Sequence, residues 1–174
     1  MSRRAAGVAW MAATAAALLA ATAAGADAQA GASVGAPVLE ARADLLAGRT
    51  TSVHAGVGVA WPVGRNVQLG VVAGAGETRG LPREADEDGH APSGRAELVA
   101  RFVVDPSGGA GVRWYGGAGA GALFVRGGRG QARVHVVAGV EARPRGRLRL
   151  GAEVGVGGGT RVAVVLRRAG GTLD

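Results

Sequence analysis

The sequence predicts an all-β fold: an up-and-down antiparallel barrel of about eight strands, preceded by a cleavable signal peptide. Three observations carry this expectation. Apolar residues alternate with polar residues or glycine along segment after segment between Leu39 and Leu166, which is the period-2 mark of a half-buried strand. The segments are separated by short stretches rich in Gly, Pro, Asn and Asp, the residues that tight turns need. The composition fits neither disorder nor an ordinary dense soluble core. The 174 residues include 33 Gly, and 48% are hydrophobic but only 3% aromatic. That is too apolar for a disordered chain and poor in the rings on which most soluble cores lean.

The amino terminus stands apart from the barrel. "MSRRAAGVAWMAATAAALLAATAAGADAQA" opens with Arg3 and Arg4, continues as a small-residue apolar run and ends in the small-x-small pairs "ADA" and "AQA". These are the three parts of a secretory signal peptide. Residues 1–30 are therefore expected to be the signal and residues 31–174 the barrel domain. No later run approaches the length of a membrane-spanning helix.

The strand segments follow in order. "LEARADLLA" sets Leu39, Ala41, Ala43 and Leu45 against Glu40, Arg42 and Asp44. "SVHAGVGVAW" sets Val53, Ala55, Val57, Val59 and Trp61 against His54, Gly56, Gly58 and Ala60. "VQLGVVAGA" lines Val67, Leu69, Val71, Ala73 and Ala75 on one face. "ELVARFVV" opposes Leu98, Ala100, Phe102 and Val104 to Glu97, Val99, Arg101 and Val103. In "VRWYGGAGAGALF", Trp114, Ala118, Ala120, Ala122 and Phe124 oppose Arg113, Tyr115 and a row of glycines. "ARVHVVAGVEA" sets Val134, Val136, Ala138 and Val140 against Arg133, His135 and Glu141. "LRLGAEVGV" sets Leu148, Leu150, Ala152, Val154 and Val156 against Arg149, Glu153 and glycines, and "TRVAVVL" closes with Val162, Val164 and Leu166 against Arg161. Each segment runs roughly 8–13 residues, long for a soluble strand and suited to a tilted membrane span.

The breaks form two sets. "PVGRN", "DPSGG" and "RPRGR" are tight polar turns. They alternate with "AGRTT", the long "RGLPREADEDGHAPSG", "RGGRG" and "GGGT". Alternating short and longer connections belong to an even-stranded meander.

Period 2 does not by itself say which face points out. Three features favour a membrane barrel, with the apolar face towards lipid and the polar face inside. An eight-stranded interior is narrow. The glycines leave room there for Glu40, Asp44, Glu97, Glu141 and Glu153 to pair with Arg42, Arg101, Arg113, Arg133, Arg149 and Arg161. Trp61, Phe102 and Trp114 fall on the apolar face at one rim and Phe124 at the other, as in an interfacial girdle. The middles of the apolar faces carry no charge, where lipid would penalise one by roughly 2–4 kcal/mol. The competing arrangement is a soluble secreted or periplasmic barrel that turns its apolar face inward around an apolar ligand.

With its signal peptide, the turn "WPVGRNVQLGV" between two alternating strands and the terminal "RVAVVLRR", the chain resembles the small outer-membrane β-barrel domain proteins of double-membraned bacteria, over roughly Gly31 to Arg168. The resemblance implies a non-enzymatic envelope protein of the cell outer membrane, with both termini periplasmic and the longest loop outside. It also implies outer-membrane lipid, lipopolysaccharide and the barrel assembly machinery as partners, a monomeric state and no cofactor. Members of the family usually end on an aromatic residue; here the last outward residue is Leu166 and "RRAGGTLD" follows.

Other chemistries are poorly supported. "GAGAGA" satisfies G-x-G-x-x-A, but "LFVRGGRGQARV" follows it, a strand and a turn where a nucleotide fold needs a helix. The net charge of +7 is carried entirely by arginines spread singly along the chain, which argues against nucleic acid as a partner. With no Cys there are no thiolate sites or disulfides. His54, His90 and His135 match no zinc spacing. Ser52, His54 and a nearby carboxylate suggest a hydrolase of the lipid A-modifying kind, weighed against an interior hydrogen-bond network. Glu84, Asp86, Glu87 and Asp88 in "EADEDGH" suggest a divalent-cation loop, weighed against an ordinary solvated loop. No residue is assigned to a catalytic, cofactor or metal site.

Overall fold

A computed structural model describes residues 35–80, 90–106, 111–127 and 130–169. Within them run β1 (Val38–Ala47), β2 (Thr51–Pro62), β3 (Val67–Arg79), β4 (His90–Val104), β5 (Arg113–Val125), β6 (Gln131–Glu141), β7 (Leu148–Val156) and β8 (Thr160–Ala169). Each strand pairs antiparallel with the next, and β1 pairs with β8, so the sheet closes into a barrel. The expected all-β meander is the observed fold. The signal segment and the acidic residues Glu84, Asp86, Glu87 and Asp88 lie outside the described residues.

The alternation sorts the side chains as the sequence reading requires. Val53, Leu69, Leu98, Val134, Val136, Leu150, Val154 and Val164 are exposed on the outer wall, while Glu40, Arg42, Asp44, Arg101, Glu141, Glu153 and Arg161 are buried inside. Phe102 and Trp114 stand out from the wall at the end that carries the β2–β3, β4–β5 and β6–β7 turns, and Phe124 stands out at the opposite end. Trp61, at the first of those ends, is half-buried.

Three strands run further than the sequence pattern suggests. β3 continues from Ala75 to Arg79, and β4 starts at His90 rather than near Glu97. Pro92 and Gly94 disguise this start as loop. Pro92 is tolerated because it sits near the rim, opposite Glu77 of β3, and its carbonyl still accepts from the Arg126 N–H at 2.9 Å. β8 continues past Leu166 to Ala169. Two inward arginines, Arg95 and Arg167, lie in these extensions.

The glycine row of β5 is there for space. A Cβ on Gly117 or Gly121 would stand 2.4 Å from the carbonyl oxygen of Ala100 or Ala96, and one on Gly119 would stand 2.5 Å from Nε2 of His135. By contrast Gly116, on the outer wall, has only a carbonyl oxygen 3.9 Å away.

Candidate functional site

The interior is a continuous network of ion pairs. On β1, Glu40, Arg42 and Asp44 alternate onto the inner face and share one guanidinium. Arg42 donates from Nη1 to Glu40 at 2.9 Å, from Nε to Asp44 at 3.1 Å and from Nη2 to Glu153 of β7 at 2.5 Å. Asp44 also accepts from Arg161 Nε of β8 at 2.8 Å and from Arg95 of β4. Glu40 accepts from Arg167 Nε at 2.9 Å and lies 3.2 Å from Arg101 Nη2. Glu97 joins Arg161 Nη1 at 3.0 Å and Arg95 Nη1 at 3.3 Å, and Glu141 joins Arg113 Nη2 at 2.9 Å and Arg167.

Tyr115 fits into this network from β5. Its hydroxyl donates to Glu153 at 3.0 Å, and its ring lies 4.7 Å from the Arg167 guanidinium and 5.8 Å from that of Arg101. The ring has room because Gly139 of β6 faces it, where a Cβ would stand 2.3 Å from the ring carbon that bears the hydroxyl. Arginine suits these positions because its planar fork spans two carboxylates at once. Desolvating so many charges is costly, and the mutual pairing is what offsets that cost.

Most of the expected pairing is present: Glu40, Asp44, Glu97, Glu141 and Glu153 meet Arg42, Arg101, Arg113 and Arg161. Arg133 departs from the expectation. Arg133 donates to the Gln131 side chain at 3.1 Å, because Gln131 is its neighbour two residues along the strand. Arg149, near the turn end, donates to the carbonyls of Gly111 at 3.0 Å and Ala142 at 3.2 Å. The network also takes in Arg95, Arg167 and Tyr115, beyond the residues that the sequence pattern names. The signal for the first two was available: continuing the period from Glu97 back to Arg95, and from Val165 on to Arg167, keeps both on the polar face.

The serine–histidine expectation is corrected in its partner. His54 Nε2 meets Ser93 of β4 at 2.9 Å, not Ser52. Ser93 accepts from Thr78, which bonds Ser52 at 2.8 Å. Asp44, opposite His54 on β1, is taken up by Arg42, Arg95 and Arg161. Ser93 and Ser52 are 0% exposed and His54 2%, so the cluster is a closed chain of hydroxyls inside the wall. His90 lies apart, accepting from Arg79 Nε at 3.1 Å.

Two hollows flank the network. One of about 750 Å³ opens at the end of the β2–β3, β4–β5 and β6–β7 turns and is lined by Arg65, Arg113, Arg147, Arg149 and Arg167 among others. One of about 30 Å³ lies at the other end, beside His54, Arg133 and His135. Arg42 and Glu153, bonded to each other and buried, stand between them.

No protein-family model matches the chain, and no curated protein matches its sequence. Solved structures do match its shape. Neisserial surface protein A (NspA) superposes with a TM-score of 0.55 at 12% identity, over 77% of this chain and 96% of that one. The N-terminal β-barrel domain of Pseudomonas aeruginosa OprF superposes with a TM-score of 0.53 at 14% identity, over 76% of this chain and 98% of that one. In strand number, order and closure, the chain has the fold of the small eight-stranded outer-membrane β-barrels.

Proposed function

We propose that this chain is an integral barrel of the bacterial outer membrane with a structural or interaction role, neither an enzyme nor a diffusion pore. One observation carries the reading: the molecule is inverted relative to a soluble protein. Its outer wall displays Leu39, Val53, Leu98, Phe102, Trp114, Phe124, Val134, Leu150 and Val164 among many exposed large apolar residues, and its interior holds the charges. Soluble monomers rarely expose a continuous apolar surface of that kind, whereas lipid requires it. Closure of the sheet supports the same reading, because an open edge has no partner in hydrocarbon. The ion-pair network fills the lumen, which argues against general diffusion, and the burial of the Ser93–His54 cluster argues against a hydrolase. Among the described residues the same charged interior offers no apolar chamber to the ligand that a soluble barrel would carry.

On this reading the short turns face the periplasm and the longest loop faces outward. The expected partners are outer-membrane lipid, lipopolysaccharide and the barrel assembly machinery, and the expected state is a monomer. Cell fractionation, with electrophoresis before and after boiling, tests it. The protein is expected in the outer-membrane fraction, with a boiling-dependent shift in mobility. Recovery in the soluble fraction without detergent would refute it.

A further inference from the structure

We propose that the outer wall carries a docking site for one anionic glycerophospholipid, whose headgroup phosphate is held between Arg145 and Arg168 at the end of the β2–β3, β4–β5 and β6–β7 turns. The proposal rests on the membrane reading above and names the lipid class and its place. The site follows from register. Leu148 opens β7 and pairs with Arg145 across the β6–β7 turn, donating to its carbonyl at 3.2 Å and accepting from its N–H at 2.9 Å. On its other side Leu148 pairs with Arg168 of β8. Residues directly opposite in an antiparallel pair project from the same face. Leu148 is 44% exposed on the outer wall, so Arg145 and Arg168 flank it there, and both are exposed. Arg168 in turn lies opposite Leu39 of β1, another outward residue.

The backbones of Arg145 and Arg168 lie two strand spacings apart, about 10 Å, a gap that two long side chains can close onto one phosphate. Leu150 and Leu166, opposite each other and one outward position further along β7 and β8, are exposed beside the pair and offer an apolar track for an acyl chain. The charge here is one-sided. Among the described residues neither guanidinium has a side-chain hydrogen bond or ion pair. The acids at this end are engaged elsewhere: Glu40 and Glu141 are buried in the lumen, and Asp105 lies beside Arg113. Residues 31–34, 107–110 and 170–174, which lie outside the described residues, contain one acid, Asp174. Arg143 and Arg147, exposed in the same turn, add positive charge. Phosphate oxygens accept well from arginine. A zwitterionic headgroup offers the same phosphate but brings an ammonium up against these guanidiniums, so the site favours a lipid of net negative charge.

The test uses the full chain refolded in detergent micelles with an equimolar mixture of phosphatidylglycerol and phosphatidylethanolamine of matched acyl chains. Native mass spectrometry reads the lipid adducts. One phosphatidylglycerol per barrel is expected, with a preference of about tenfold. The double variant Arg145→Gln, Arg168→Gln is expected to bring the preference to within about twofold of parity. The double variant Arg49→Gln, Arg126→Gln removes the same charge from exposed positions at the other end and is expected to keep it. No preference in the wild type would overturn the proposal, even where Asp174→Asn restores one. So would an equal fall in the two double variants, since attraction to net charge alone produces that. Boiling-dependent mobility checks refolding, and the wild-type competition needs no variant, so a misfolded variant leaves the proposal decidable. Fractionation decides the membrane reading separately. A chain that fractionates with the outer membrane but shows no preference refutes this site alone, and recovery as a soluble protein refutes both.

Discussion

Gly139→Ala should be among the most damaging single-methyl additions to this barrel. The added Cβ would stand 2.3 Å from Cζ, 2.4 Å from Oη and 2.7 Å from Cε1 of Tyr115. The ring is buried and rigid, so it must move as a unit. Moving it breaks the hydroxyl's bond to Glu153 and draws the ring away from Arg167. A hydrogen bond to a charged group contributes about 1.5–3 kcal/mol. A desolvated cation–π contact adds roughly 1–2 kcal/mol. The expected loss is therefore about 3 kcal/mol, within the range of core overpacking. Urea unfolding in lipid vesicles, followed through Trp61 and Trp114 fluorescence, measures it. Gly116→Ala is the matched control. It adds the same methyl in the neighbouring strand, on the outer wall, with its nearest atom 3.9 Å away, and should change stability by less than about 0.5 kcal/mol. In a Tyr115→Ala background the cost of Gly139→Ala should largely vanish, since the two residues are in contact. If both glycine variants lose stability equally, the cost lies in the backbone and the packing argument is refuted.

Three further outcomes follow from the same structure. Val134→Arg, at a side chain 73% exposed on the outer wall, should cost about 2–4 kcal/mol in a bilayer if that position sits at the midplane; an unchanged urea midpoint in vesicles would contradict a lipid-facing wall. Asp44→Asn withdraws a carboxylate shared by Arg42, Arg95 and Arg161 and should destabilise by about 3–5 kcal/mol, read as a lower boiling temperature for the mobility shift. His54→Ala should cost about 1–3 kcal/mol by leaving the buried Ser93 hydroxyl short of a partner. It should leave the mass spectrum of cellular lipid A unchanged, and a changed spectrum would revive the enzymatic reading.

Much of the architecture was legible because a half-buried strand writes its two faces into alternate letters. The inward set on β1, Glu40, Arg42 and Asp44, and the outward set on β7, Leu148, Leu150, Ala152, Val154 and Val156, can be read directly. Register is another matter. Which carboxylate meets which arginine depends on how strands far apart in sequence line up across the lumen, and no local pattern states that. Hence Arg133, grouped with the acids by type, lies beside Gln131, while Arg167 joins Glu40 and Glu141. The start of β4 was hidden for a local reason: Pro92 and Gly94 have the chemistry of a turn while occupying the rim of a strand. Ser93 stands between them in the same loop-like stretch, and local pattern does not show it to be the partner of His54.

The closure of β1 against β8 governs when the molecule can come into being. The bond from Arg167 to Glu40 joins residues 127 apart in sequence, and all ten residues of β1 pair with β8. Neither strand can complete its ladder until nearly the whole chain has been made. Until then the first strand carries an unpaired edge and the half-built sheet exposes carboxylates and guanidiniums whose partners have yet to arrive. Such long-range pairing folds slowly and leaves the intermediate open to association with other chains. The closure that pairs the first strand with the last in the finished barrel leaves its precursor with an unpaired edge until β8 arrives.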